Sequence, residues 1–241
     1  MAKHSHWSNI KHKKAANDAK RGKVIAKMGK LITVAVQMGG PHLDENPRLR
    51  LAVEKARAAH MANEPIDRAI KKAAGEGATG KLMEAVVYEG YAAGGVAVVV
   101  EGLTDNRTRT APEIKKIFER SGGAMGVPGC VGWQFKDRAV LLVDGAEDQV
   151  LEALLAADCD ALDVAAVEES QVSVVAEPRD FDRIKAALAT AKLTVANAEV
   201  TKLPDNSIAT SGAQTTAVQE LLDELDDHED VQDVYHNAEF S

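Results

Sequence analysis

A chain of 241 residues with 45% apolar and 27% charged positions has the make-up of a folded protein, and at roughly 100 to 200 residues per domain it accommodates one large domain or two to three small ones. Only 4% of its residues are aromatic, so its cores must come from Ala, Val, Leu and Ile, which favours several thin cores over one thick one. The net charge of −8 argues, taken alone, against a partner as anionic as nucleic acid.

That mean conceals two electrically different parts. Residues 1–72 carry 16 Lys and Arg against 6 Asp and Glu, a net of +10, whereas residues 73–241 carry 13 against 31, a net of −18. In the first thirty positions Lys3, Lys11, Lys13, Lys14, Lys20, Arg21, Lys23, Lys27 and Lys30 are opposed only by Asp18, with His4, His6 and His12 beside them. Such a block needs an anionic partner or solvent. Screening confines each field to about 8 to 10 Å at physiological salt, so a basic patch attracts phosphates although the distant remainder is acidic. Apolar runs such as residues 96–100 fall far short of the ~20 residues of a membrane span, and the polar first thirty residues lack the apolar block of a secretory signal. A cytoplasmic protein with no membrane partner is expected. Cys130 and Cys159 are too few for a disulfide framework and lack metal-ligand spacing, which fits a reducing compartment.

In chain order, Val24, Ile25, Met28, Leu31, Ile32 and Ala35 have the spacing of one helix face, a helix expected to reach back to Lys13 and to stop at Gly39 and Gly40. Asn46 and Pro47 read as N-cap and first helical residue, and Leu49, Ala52, Val53 and Ala56 give the next buried face. A third helix over about 65–74 ends at Gly75, and three glycines within 75–80 make a hinge. Residues 85–91 and 96–101 read as a β-hairpin, followed by a helix over about 112–120 that Gly122 closes. Then come a strand (139–143), a helix (148–157), two strands (162–167 and 172–176), a helix (181–191) and a strand (195–201). That βαββαβ order is the split unit of a ferredoxin-like fold. A tail helix (215–225) and strand (231–235) lack partners of their own and are expected to return to the hairpin. The expected fold class is therefore α+β and multidomain. Its parts are a basic three-helix domain over 1–78, a middle α+β domain over 79–134 plus 204–241, and an inserted ferredoxin-like domain over 135–203.

Lys13, Lys20, Lys23, Lys27 and Lys30, at spacings of 7, 3, 4 and 3, fall near one side of a helix and form a stripe that can track a phosphate backbone. Each neutralised phosphate adds about 0.9 to the salt slope on B-DNA and about 0.7 on single strands. The competing reading is an ordinary solvated helix face. Trp7 either stacks on a base or packs on its own bundle. Arg107 and Arg109, in the polar segment 104–110 ahead of a helix, either hold a phosphate together with N-terminal amides or make caps and surface ion pairs. The glycine-rich stretch 122–133 matches neither a Walker loop nor a dinucleotide fingerprint and reads as a structural bend. Once Met1 is removed, Ala2, Lys3 and His4 offer an amine, amides and an imidazole of the kind that suits Cu(II) or Ni(II), but no metal is assigned on that ground. Cys130 has no neighbouring His, and the acidic run 223–233 lacks the glycine turn of a calcium loop. No catalytic residue, metal or cofactor is expected, and the protein is read as a non-enzyme.

The segments 1–16, 18–23, 46–50, 88–91 (Tyr88, Glu89, Gly90, Tyr91), 103–107 (Leu103, Thr104, Asp105, Asn106, Arg107) and 230–235 (Asp230 to Tyr235) together resemble the YebC/PmpR family over nearly the whole chain. The resemblance implies an N-terminal helical domain followed by two α+β domains, and a DNA-binding regulator of transcription. Mitochondrial relatives are translational activators, and bacterial members are also connected with ribosomes stalling at proline runs. Lys3, His6 and Ile25 stand where the family usually has Gly, Lys and Phe.

Two functions follow from the same cations. One is a DNA-binding transcriptional regulator. The alternative is a ribosome-associated translation factor contacting rRNA or tRNA. Phosphate contacts carry no base identity, so the basic segment serves either. Trp7 and the His-rich first ten residues suit RNA, and the third helix, with Arg68, Lys71 and Lys72, offers little base-reading chemistry of the helix-turn-helix kind. The resemblance favours DNA. The expected nucleic-acid-binding residues are Lys3, His4, Trp7, Lys11, His12, Lys13, Lys14, Lys20, Arg21, Lys23, Lys27, Lys30, Arg48, Arg50, Arg107 and Arg109.

Overall fold

The computed structural model describes residues 21–75, 82–168 and 170–240. Helix α1 (Arg21–Gly39) turns Ile32, Ala35 and Val36 inward, where they meet Leu49, Ala52, Val53 and Ala56 of α2 (Pro47–Ala58) and Ile66 of α3 (Asn63–Ala74). The helical core is aliphatic, as the scarcity of aromatic residues requires. Helix α1 stops where Gly40 takes φ +84°, a conformation that costs other residues a Cβ clash. Asn46, buried in the corner between α1 and α2, then joins the two helices. Its Oδ1 accepts the Leu49 amide at 3.0 Å, and its Nδ2 donates to the carbonyls of Ala35 and Gly40, both at 2.8 Å. The α3 helix begins two residues before the expected start, because a proline within the first turn removes an N–H that has no intrahelical partner anyway.

Strands β1 (Glu84–Tyr91) and β2 (Ala97–Thr104) form the expected antiparallel hairpin. The helix that follows, α4 (Arg107–Arg120), starts five residues earlier than the sequence reading placed it. The side chain of Asn106 accepts the Arg109 amide at 3.2 Å and caps the helix, and Pro112 lies inside it instead of opening it. A two-residue strand, β3 (Ala124–Met125), pairs with the outer edge of β1.

Two compact units divide the chain, one comprising Trp133–Ser207 and the other the described residues before and after it. In the first, β4 (Phe135–Asp144), α5 (Glu147–Ala156), β5 (Asp163–Glu168), β6 (Gln171–Ala176), α6 (Phe181–Thr190) and β7 (Thr194–Pro204) realise the βαββαβ order. The sheet runs β5-β6-β4-β7 with every neighbour antiparallel, the ferredoxin-like arrangement. Alternate residues Ala139, Leu141 and Val143 of β4 join Val150 and Leu154 of α5 and Ile184 and Leu188 of α6 in its core.

The chain then returns to the first sheet. Strand β8 (Ile208–Thr210) and helix α7 (Ala213–Asp226) precede β9 (Val231–His236), which pairs antiparallel with β2 and completes the order β3-β1-β2-β9. Val96, Val98 and Val100 pack with Ile114, Phe118, Val218, Leu221, Leu225, Val231 and Val234, so the tail supplies half of this core. Strand β10 (Ala238–Phe240) pairs in parallel with β8, a two-stranded sheet that the sequence pattern did not signal. A register shift at Glu101 and Gly102 marks the entry of β9. A Cβ on Gly102 would lie 2.6 Å from the carbonyl oxygen of Asp230, so only glycine lets the two strands close there.

Candidate nucleic-acid interface

Lys23, Lys27 and Lys30 lie on one face of α1, as their spacing dictates. The structure places this face against the protein's own acidic segment at the end of α7. Lys23 pairs with Asp227 at 3.0 Å, Lys27 with Asp226 at 3.0 Å and Lys30 with Asp230 at 2.5 Å, and the Lys30 ammonium also donates to the Glu229 carbonyl at 2.8 Å. The carboxylates become more buried along the row, and of the lysines Lys27 is the most buried. The Lys23 and Asp227 side chains are 50% and 34% exposed, whereas Lys27 as a whole keeps 8%. These three lysines therefore reach solvent as members of ion pairs and not as a bare cationic stripe.

Asp230 is the hub. Its side chain is only 2% exposed, and besides Lys30 it accepts from the Thr110 hydroxyl at 2.6 Å, the Arg109 guanidinium at 2.7 Å and the Thr104 hydroxyl at 3.2 Å. Its carbonyl accepts the Leu103 amide at 2.7 Å. Burial by itself would raise the Asp230 carboxyl, but the hydrogen bonds from Lys30, Thr110 and Arg109 and the Lys30 charge hold it well below the usual carboxylate range. Its amide donates to His228 Nδ1 at 3.1 Å, which leaves Nε2 to carry the hydrogen facing Glu113, also at 3.1 Å. Beside this cluster lies an open cleft of about 520 Å³, lined by Arg109, Glu113, Lys116 and Arg120 of α4 and by Asp227 and Glu229 from the segment after α7. Its charge is mixed.

The other expected contacts are scattered. Arg109 belongs to the first turn of α4 and is bound to Asp230 and Asp105, not presented in a turn ahead of a helix. Arg107, in the same turn, is exposed and 3.8 Å from Glu84. Arg50 donates to the carbonyls of Leu43 and Asp44 at 2.6 and 2.9 Å, and Arg48 reaches Met38 Sδ at 3.0 Å, so both brace the connection between α1 and α2. Arg21 is the first residue of α1. Lys3, His4, Trp7, Lys11, His12, Lys13, Lys14 and Lys20 lie outside the described residues. The glycine-rich loop is closed on an internal anion, since the Glu89 carboxylate accepts the amides of Gly129, Val131 and Gly132 at 2.6 to 2.8 Å. Burial opposes its ionisation, and those three amides more than reverse the effect, leaving Glu89 below its usual value.

Two family models cover the chain, "TACO1/YebC protein N-terminal domain" over residues 5–76 and "TACO1/YebC second and third domain" over residues 83–238. The chain belongs to the TACO1/YebC family. Among TACO1/YebC relatives, a "Probable transcriptional regulatory protein" of Paraburkholderia phytofirmans is 46% identical over 240 residues, covering 99% of this chain and 98% of that protein. A protein of the same description from Thermoanaerobacter pseudethanolicus is 43% identical over 241 residues, covering 99% and 97%. The crystal structure of a conserved hypothetical protein from Aquifex aeolicus matches with a TM-score of 0.80 at 39% identity over 98% of each chain.

For this TACO1/YebC chain, sequence reading placed the cations and missed their partners. Asp226, Asp227 and Asp230 read only as an acidic run without a calcium-loop glycine. The signal that would have found them is reciprocity: three lysines on one face and three nearby carboxylates at the end of a helix, on two segments that each lacked a neutralising partner of their own. Lys55, Arg57, Lys71 and Lys72 are exposed and make no ion pair among the described residues, and they add cationic surface to α2 and α3. No helix among the described residues is long and apolar enough to cross a membrane.

Proposed function

We propose that this chain is a DNA-binding regulator of transcription in the cytoplasm, which grips the phosphate backbone with the segment that runs into the first residues of α1 and performs no chemistry of its own. The observation that carries this reading is the charge partition. Lys3, Lys11, Lys13, Lys14, Lys20 and Arg21 stand against Asp18 alone, a net of +5 in 21 residues, while residues 22–241 sum to −13. Phosphate neutralisation by such a segment releases condensed counterions and gives affinity without sequence information. Trp7 and His4, within the same segment, add groups that can contact a base or sugar edge. Residues 1–78 serve as the gripping domain, and the acidic remainder limits indiscriminate adhesion to polyanions. The names carried by relatives 43 to 46% identical to this chain support regulation of transcription.

Gel shifts on promoter-length duplexes, run beside ribosome co-sedimentation at low and moderate salt, test the proposal. A sequence-selective shift that survives moderate salt is the expected result. Co-sedimentation with ribosomes and no selective shift would replace it with the translation factor that contacts rRNA or tRNA.

A further inference from the structure

The acidic segment 226–230 meets the lysine face of α1 as a strand of phosphates would, and three observations give that likeness a function. First, the row is continuous. Lys23, Lys27 and Lys30 span about 10 Å of helix at 1.5 Å per residue, and each finds a carboxylate. Second, those carboxylates sit where their own helix disfavours them. Helix α7 ends at Asp226 with Asp227 as its C-cap and has no basic residue in its last turn, so negative charge gathers at the negative end of the helix dipole. The compensation comes from α1. Third, the pairs differ in how firmly they are built in. Asp230 is buried and held by Lys30, Arg109, Thr104 and Thr110, whereas Asp227 and Lys23 meet at the surface, and Asp226 remains 28% exposed opposite Lys27. Exposed pairs of the Lys23 type are weak and screened by salt.

We propose that residues 226–227 are an internal stand-in for a nucleic-acid backbone, masking a second phosphate-binding face on α1. A nucleic acid already gripped by the upstream segment displaces Asp227 from Lys23 and Asp226 from Lys27. Asp230 keeps Lys30 and so retains α1 on the molecule. The exchange conserves charge at each lysine, replacing a carboxylate with a phosphodiester, so it proceeds only when the local phosphate concentration is high. The mask thereby discriminates against short or isolated anions. This inference rests on the function proposed above. It goes further in assigning the α1 lysines to a conditional second contact and the α7 terminus to its control.

The test is a salt titration of binding by the full chain and by its Asp226→Asn/Asp227→Asn variant, using a fluorescent 30-base-pair DNA duplex and, in a parallel arm, an RNA hairpin of equal phosphate count. In both proteins the bound state puts Lys23 and Lys27 on phosphates, but the variant has no carboxylates to displace, so it binds the duplex several-fold more tightly than the wild type at low salt, and the gap narrows as salt screens the mask. Asp227→Asn alone gives a smaller gain in affinity and serves if the double variant does not fold. A gain in both arms assigns the face to phosphodiester in general, and a gain in one arm assigns it to that nucleic acid. Unchanged affinity with a lowered Tm would overturn the proposal, making the pairs simple docking contacts. Should the wild type and the variant both fail to bind either probe at the lowest salt, the gripping function itself falls, and this inference with it.

Discussion

Asp230 shows how one residue joins three elements. Its carboxylate receives an ammonium from α1, a guanidinium and a hydroxyl from α4 and a hydroxyl from the end of β2, all in a nearly closed site. Replacing one partner of a buried, multiply bonded charge leaves the others uncompensated. Asp230→Asn should therefore cost about 3 kcal/mol in urea unfolding, although the side chain keeps its shape. The same site sets an acid limit. Because the folded-state pKa of Asp230 is depressed, its contribution is fully present above the unfolded value of about 4 and is lost as pH falls below it toward the folded value. Urea midpoints recorded from pH 6 down to pH 3 should decline for the wild type below about pH 4, and part of that decline should be missing in Asp230→Asn. Equal slopes in the two proteins would place the acid sensitivity elsewhere. None of this was legible in the sequence, because a lone Asp in an acidic run gives no sign that it is buried or that its donors lie 120 and 200 positions upstream.

Among the elements, what the sequence revealed followed the length and regularity of each pattern. The apolar face of α1, the Asn46 and Pro47 start of α2 and the alternation in β4 are long signals, and each marks residues inside the element observed, although β4 begins four residues before its expected start and the expected extension of α1 back to Lys13 lies outside the described residues. The ferredoxin-like order was readable because six elements in a row each carry their own period. Strands of two or three residues such as β3, β8 and β10 have no period to read and exist only through their partners. The start of α4 was misplaced because Pro112 is a stronger local mark than Asn106, yet the Asn106 cap decides the boundary and brings Arg109 within reach of Asp230. Gly102 connects this level to the site. Its substitution by Ala drives a Cβ into the Asp230 carbonyl at the strand crossing, so Gly102→Ala should lower stability by about 1 to 3 kcal/mol in thermal or chemical unfolding. A neutral result would mean that β9 can shift without disturbing the Asp230 cluster.

At the scale of the whole molecule, charge is partitioned along the chain and then partly rejoined by folding. Counting along the sequence found the basic front and acidic remainder correctly, but a count cannot show that lysines 23, 27 and 30 are met by carboxylates about 200 positions away. Folding thus divides the nine early cations into a row held by the protein itself and a preceding group of six. The reading of this TACO1/YebC chain as a nucleic-acid regulator rests on that group. Whether residues 1–22 supply the grip is decided by the slope of log affinity against log salt for a DNA duplex, measured on the intact chain and on a chain starting at Lys23. The intact chain should show a slope of about −4 to −5, from the six upstream cations together with Lys23 and Lys27 at about 0.9 each with several left unengaged, and the shortened chain should lose most of both slope and affinity. Equal slopes for the two chains would move the polyanion-binding surface elsewhere on the molecule.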